Sequence, residues 1–273
     1  MIATKIASLT LLASFALLAQ RARADDYPSP TDDRVRISLG AAHLTSATTL
    51  QSNSSAGVSG TDINGEDDFG LDKSDWEPAF QALVRVATRQ RFSFDYFTLD
   101  RSGNSTVGAK PIIFRDVVFL PADPLQTHLS LRTLGITYEY SFWHSETVEV
   151  AATLGIHATD ISASAKVQTA TRHVIQNEDQ AGPVPTAGID ATWVISRRFY
   201  VNGRGQYLNL HVDHLDGSLG LYEFDVLYRY RSNVSLGLGY TEVKAHLAST
   251  QTTQPGEFDF NTKGPELFLR VAF

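Results

Sequence analysis

The sequence contains no cysteine, which excludes disulfides, a thiolate nucleophile and a thiolate metal site. It also lacks an excess of basic residues. Its 23 Lys and Arg stand against 30 Asp and Glu, a formal net charge of −7. Nucleic acid is thereby a poor partner, since no surplus cations are available to displace counterions from phosphate. Beyond residue 24, no run approaches the roughly 18 apolar residues that a membrane helix needs. No Walker, Rossmann or G-x-S-x-G motif stands where it could operate, and no cofactor is expected.

What is present begins with an export signal. Lys5 gives a positive start, Ile6 to Ala19 is apolar apart from Ser8, Thr10 and Ser14, and Ala22-Arg23-Ala24 is a small-x-small cleavage site. This pattern predicts a signal peptide over 1–24, too short and too weakly apolar to span a membrane. Cleavage after Ala24 would remove 24 of 273 residues and leave 249. It would remove Lys5, Arg21 and Arg23 with no acid, taking the net charge from −7 to −10. Residues 25–33 are then expected to be a short periplasmic segment, and 34–273 a single domain.

That domain alternates. Val35, Ile37 and Leu39 alternate with Arg36 and Ser38; Leu134, Ile136, Tyr138 and Tyr140 with Gly135, Thr137 and Glu139; Leu236, Leu238 and Tyr240 with Gly237 and Gly239. Period two places each set on one face of a strand. Ten such segments occur, with no convincing amphipathic helix. Their connections also alternate in length. Short turns lie at 89–90, 143–146, 196–198 and 231–233, and long connections at 45–75, 102–126, 159–183 and 248–262, with a short exception at 213–217. Even strand number and connections sorted by length predict an all-β, antiparallel up-and-down transmembrane β-barrel of about ten strands (range 8–12), with turns in the periplasm and loops outside. Its mean hydropathy stays low (−0.14) because lipid-facing and lumen-facing residues alternate.

Residues 110–120, KPIIFRDVVFL, read as one arm of a hairpin above the membrane, paired with residues near 125–131; a spanning strand there would break the up-down parity. Phe92, Phe142, Trp143, Trp193, Phe199, Tyr200, Tyr228, Tyr230 and Phe273 cluster beside the short turns. That is the placement of an interfacial aromatic girdle.

The chain closes on PELFLRVAF. Thr262, Gly264, Leu267 and Leu269 fit polar-x-Gly-x-x-apolar-x-apolar, and Val271 and Phe273 extend the apolar alternation to the last residue. With these features the chain resembles the outer-membrane β-barrel proteins of Gram-negative bacteria, and looks most like the small barrels of the OmpA- and OmpW-type class. The resemblance implies residence in the bacterial outer membrane, contact with outer-membrane lipid and lipopolysaccharide, and handling by periplasmic chaperones and the barrel-assembly machinery, which reads the last strand.

Alternation aims Arg36, Arg85, Arg91, Arg204, Arg229 and Arg270 at the lumen, with Glu77, Asp95, Glu139, Glu149, Asp190, Glu223, Asp225 and Glu266. Six basic against eight acidic groups favours mutual neutralisation in a filled or narrow lumen over a selectivity ring of one sign. The expected role is structural or surface interaction, without catalysis; a small-solute channel and a rim hydrolase are the alternatives. Asp62, Asn64 and Glu66 resemble the start of a calcium loop, but Asp67 replaces its glycine and Lys73 its final Glu, so no metal site is assigned. Phe69, Leu71 and Trp76 are candidates to fold over the barrel mouth. HVDHLD at 211–216 could serve a protease like the omptins, yet Asp213 and His214 would point to opposite faces. His144-Ser145-Glu146 reads as an ordinary polar turn.

Overall fold

The structure, a computed structural model, describes residues 29–169, 173–212, 214–249 and 255–273. The expected signal peptide, with Ala22 and Ala24, lies outside them. Ten long strands make the wall: β1 (Val35–Ser52), β3 (Ser74–Ala87), β4 (Gln90–Thr106), β7 (Pro124–His144), β8 (Val148–Gln168), β9 (His173–Val194), β10 (Phe199–Val212), β11 (Leu215–Arg231), β12 (Val234–Ser249) and β13 (Gly256–Ala272). Three short ones, β2 (Ile63–Asn64), β5 (Ile112–Phe114) and β6 (Val117–Phe119), lie in the loops. Each wall strand pairs antiparallel with the next, and β13 closes on β1 from Arg36↔Ala272 to Ser52↔Gly256. Closure satisfies the edge groups that lipid cannot. Phe273 completes it: its N–H donates to the Val35 carbonyl, and its own carbonyl accepts from the N–H groups of Arg34 and Val35.

The wall faces follow the alternation. Leu154, Ile156, Ile189 and Leu238 are all more than half exposed on the outside, which is tenable only against lipid. Phe142, Trp143, Trp193, Phe199, Tyr230 and Phe273 ring the short-turn end outside this belt. Tyr200 departs from the expected girdle. It is buried at the lumen base, its hydroxyl 3.2 Å from Ser235 and its ring under Arg229. In strand register it falls on the inward parity with Asn202 and Arg204.

Two expectations about the loops need correction. The connection at 159–183 is largely strand, because the hairpin continues beyond the membrane with β8 and β9 paired from Val148↔Trp193 to Gln168↔His173, and strand also runs into the connections at 45–75, 102–126 and 248–262. Segment 110–120 does not span, but its partner is not 125–131. Ile112 to Phe114 pairs with Val117 to Phe119 in a hairpin of its own, while 125–131 belongs to β7 between β4 and β8. A left-handed Arg115 (φ 52°) makes so tight a turn feasible.

The loops fold inward. Ile63, Phe69, Val107, Ile112 and Phe119 form an apolar cluster with Leu125, Ala165 and Val167 of the wall. Phe69 and Leu71 are buried as expected. Trp76 is not; it is exposed on the outer wall beside His43, since β3 begins at Ser74 and fixes its parity outward. Asp116 ties the β5–β6 turn to the first loop, accepting from the hydroxyl and N–H of Ser55. These bonds hold its carboxyl below the ordinary 3.8. A depressed carboxylate stabilises above its unfolded pKa and loses that contribution as pH falls through the folded value. The tie should therefore be intact near neutral pH and weaken as pH falls below the ordinary carboxylate value. A loss of amide protection at 112–119 on acidification in the native chain, absent from Asp116→Asn, would measure it.

On the inner face, Gly237 makes room for a ring. A Cβ there would lie 2.2 Å from the Phe268 ring. Gly237→Val should destabilise the barrel by about 1–3 kcal/mol through overpacking, read as a lowered midpoint in urea.

Candidate functional site in the barrel lumen

The lumen has two unlike halves. At the short-turn end the charges predicted from sequence converge. Arg91 lies within 2.6 Å of Glu139 and 2.9 Å of Asp190, and also bonds Glu149. Arg85 reaches Glu149 at 2.8 Å, and Arg204 spans Glu139 at 2.8 Å and Asp190 at 3.4 Å. Three guanidinium groups therefore meet three carboxylates. All six side chains are nearly sealed from solvent. Ser141 donates to Glu149, and Asn202 to Asp190. Beside this cluster Arg270 faces Asp225 at 3.6 Å and donates to Ser38, Arg229 stacks on Tyr200, and Arg36 is buried.

The N-terminal segment caps this end. Thr31 and Asp33 are buried. Arg85 donates to the carbonyls of Thr31 and Asp33, and Ser29 to that of Glu146. His144 bridges Asp32 and Glu149 at 3.3 and 3.1 Å, so the 144–146 turn is an anchor point for the cap. Residues 29–33 thus sit in the mouth at the short-turn end.

Above the charges the inward parity turns apolar. Phe97, Leu131, Ile161, Leu221, Val243, Phe260 and Phe268 enclose a cavity of about 580 Å³. Its floor is polar: Asp95, His157, Arg204, Gln206, Glu223, Glu266 and Arg270. His157 sits between Asp95 at 3.6 Å and the Thr186 hydroxyl at 3.1 Å. Sequence reasoning placed Asp95, Glu223 and Glu266 in the lumen but missed His157, Asn202, Gln206 and the apolar wall. The signal for the wall was a change of phase. Leu129 and Leu131 lie on the opposite parity to Leu134 and Ile136, and Phe258 and Phe260 share the parity of Phe268.

Other predicted residues lie elsewhere. Glu77 faces inward but away from the charge cluster, accepting the Asp100 N–H at 2.9 Å. Glu66 is consumed by Arg101 and the Thr48 N–H, and Asn64 accepts from the N–H groups of Glu66 and Asp67. Those groups therefore do not converge on an ion. Thr262 and Gly264 are buried, Thr262 accepting from Ser46, and Leu267 and Leu269 face lipid. Val271 is buried against its neighbours. His211 pairs with Asp216 on an exposed hairpin, and Asp213 lies outside the described residues.

A scan against protein-family models and a search of curated proteins match nothing to this chain. Solved structures do match in fold. The outer membrane protease OmpT of Escherichia coli aligns over 91% of this chain and 99% of its own, at 9% identity and TM-score 0.57. The translocator domain of the autotransporter NalP from Neisseria meningitidis aligns over 100% and 98%, at 8% identity and TM-score 0.46. A Pseudomonas aeruginosa FadL homologue aligns over 91% and 93%, at 8% identity and TM-score 0.39. The closed barrel wall agrees with the first of these in fold. The protein is a ten-stranded outer-membrane β-barrel.

Proposed function

We propose that this barrel holds a small apolar molecule in the outer half of its lumen and passes no water-soluble solute through the inner half. The division of the lumen carries this reading: an apolar cavity of about 580 Å³ above a sealed cluster of six paired charges. The volume lies within the roughly 300–1,000 Å³ of small-molecule sites, whose walls are likewise apolar with a few convergent polar groups. A structural role is our reading for the inner half, where paired charges fill the space.

Binding is favoured over catalysis. The Thr186 hydroxyl beside His157 is buried and does not line the cavity, and in the 211–216 stretch that suggested a rim hydrolase His211 is paired with Asp216 on an exposed hairpin. A channel is disfavoured because an ion would have to displace Arg91 from carboxylates on three sides.

Native mass spectrometry of the purified barrel with 12-bromododecanol tests the reading. One retained chain per barrel is expected, together with a flat current trace in a planar bilayer. No retained chain, or regular single-channel steps, would contradict it.

A further inference from the structure

The cavity has a way in from the side. β9 and β10 are paired only from Tyr200↔Val194 to Tyr207↔Ala187, although both strands continue outward, β9 against β8 and β10 against β11. Direction of the donors explains why. The Val194 N–H donates to Thr147 on the β8 side, and the Ile195 N–H to Phe199 on the β10 side. In an antiparallel ladder this alternation persists, so odd-numbered residues of β9 address β10. The next two in line are Pro185 and Pro183, which carry no N–H. The ladder stops where its donors stop.

One other seam also ends early, between β3 and β4 at Ala79↔Phe97. There the wall is mended: Glu77 accepts from Asp100, Asp72 N–H donates to Ser102, and Leu71 bridges Gly103. Above Ala187↔Tyr207 no pairing mends the wall among the described residues. Ala181, Gly182 and Pro183 are exposed there, and they line the cavity together with Leu208 of β10.

Depth places this gap in one leaflet. Trp193 marks the short-turn interface, and Ala187 stands six residues outward. At about 3.3 Å per residue and a tilt of about 40°, that is about 15 Å of a band about 25 Å tall. The gap starts past the midplane and opens on the outer leaflet.

We infer that the β9–β10 seam is a lateral portal through which the cavity takes an acyl chain from an outer-leaflet lipid. This rests on the apolar-binding reading and adds its ligand class and route. The loop cluster around Phe69 and Phe119 covers the β7–β8 side of the mouth, and the charge cluster with its cap closes the base, so the seam gives the cavity a route to the membrane. Transfer from lipid gains little hydrophobic free energy, since lipid tails are as apolar as leucine. The gain comes from contacts that an unfilled cavity forfeits.

The test uses a phosphatidylcholine carrying a diazirine near one acyl terminus. The barrel is reconstituted with it and irradiated, and adducts are mapped by mass spectrometry. Adducts are expected on inward Leu131 and Leu221 as well as on lipid-facing Leu238. In a chain without cysteines, Pro185→Cys/Asn209→Cys oxidised before reconstitution should lower the inward adducts at least tenfold, and reduction should restore them. Pro183→Val/Pro185→Val, which returns both donors, should lower them without a crosslink and serves if the disulfide variant does not fold. Inward adducts undiminished in both closed forms would overturn the portal and leave the cavity standing. Adducts on Leu238 alone in the native chain would likewise overturn it, with 12-bromododecanol retention then deciding separately whether the cavity binds at all.

Discussion

Arg91→Leu should cost this barrel about 3–5 kcal/mol of stability. Arg91 is fully buried and touches Glu139, Glu149 and Asp190. Without it the three carboxylates keep only Arg85 and Arg204, and one buried negative charge is left uncompensated. The magnitude comes from that orphaned charge more than from any strength of the pairs, because desolvation offsets much of the attraction between buried ions. A second variant separates the two causes. Arg91→Leu combined with Glu139→Leu removes one charge of each sign and should recover at least half of the loss. Urea unfolding in lipid vesicles measures both. A single variant as stable as the native chain would mean that water reaches the cluster and that the inner half is not sealed.

Leu219→Trp/Leu221→Trp should abolish retention of an alkyl chain while leaving the fold in place. Both side chains line the cavity from adjacent inward positions of β11. Two indoles would displace about four methylenes of a bound chain, and at about 0.8 kcal/mol each this is about 3 kcal/mol, a loss of roughly 100-fold in affinity. Retention of 12-bromododecanol in native mass spectrometry reads it directly, and slower gel migration after boiling than before confirms that the barrel is folded. Native-like retention would place the chain outside the lumen.

The wall was legible in the sequence because lipid enforces period two on every spanning strand. Val35, Ile37 and Leu39, or Leu236, Leu238 and Tyr240, have no tenable reading but one face of a strand. The inward charges were legible for the same reason, since Arg91, Glu139 and Asp190 stand on the opposite parity to their apolar neighbours. Which of them would meet was not. Register brings residues from β4, β7, β8, β9 and β10 to one level, and alternation carries no register. The apolar cavity was obscured by the same rule that revealed the wall. Where both parities are apolar, as at Leu129, Leu131, Leu134 and Ile136, the alternation blurs and the segment loses its signature. Pro183 closes the expected 159–183 connection and Pro185 stands just beyond it, so alternation alone marks no break there. Only the ladder shows that they interrupt one side of a continuing strand.

The central claim is that the lumen is divided, with an apolar chain held outward of a sealed charge cluster. Anomalous diffraction from crystals grown with 12-bromododecanol tests it most directly. The account predicts one bromine peak inside the barrel, between Leu131, Leu221 and Phe260, and no continuous file of ordered water past Arg91. A bromine found only on the outer wall, or a file of water running from the cavity past Arg91 to the N-terminal cap, would contradict it.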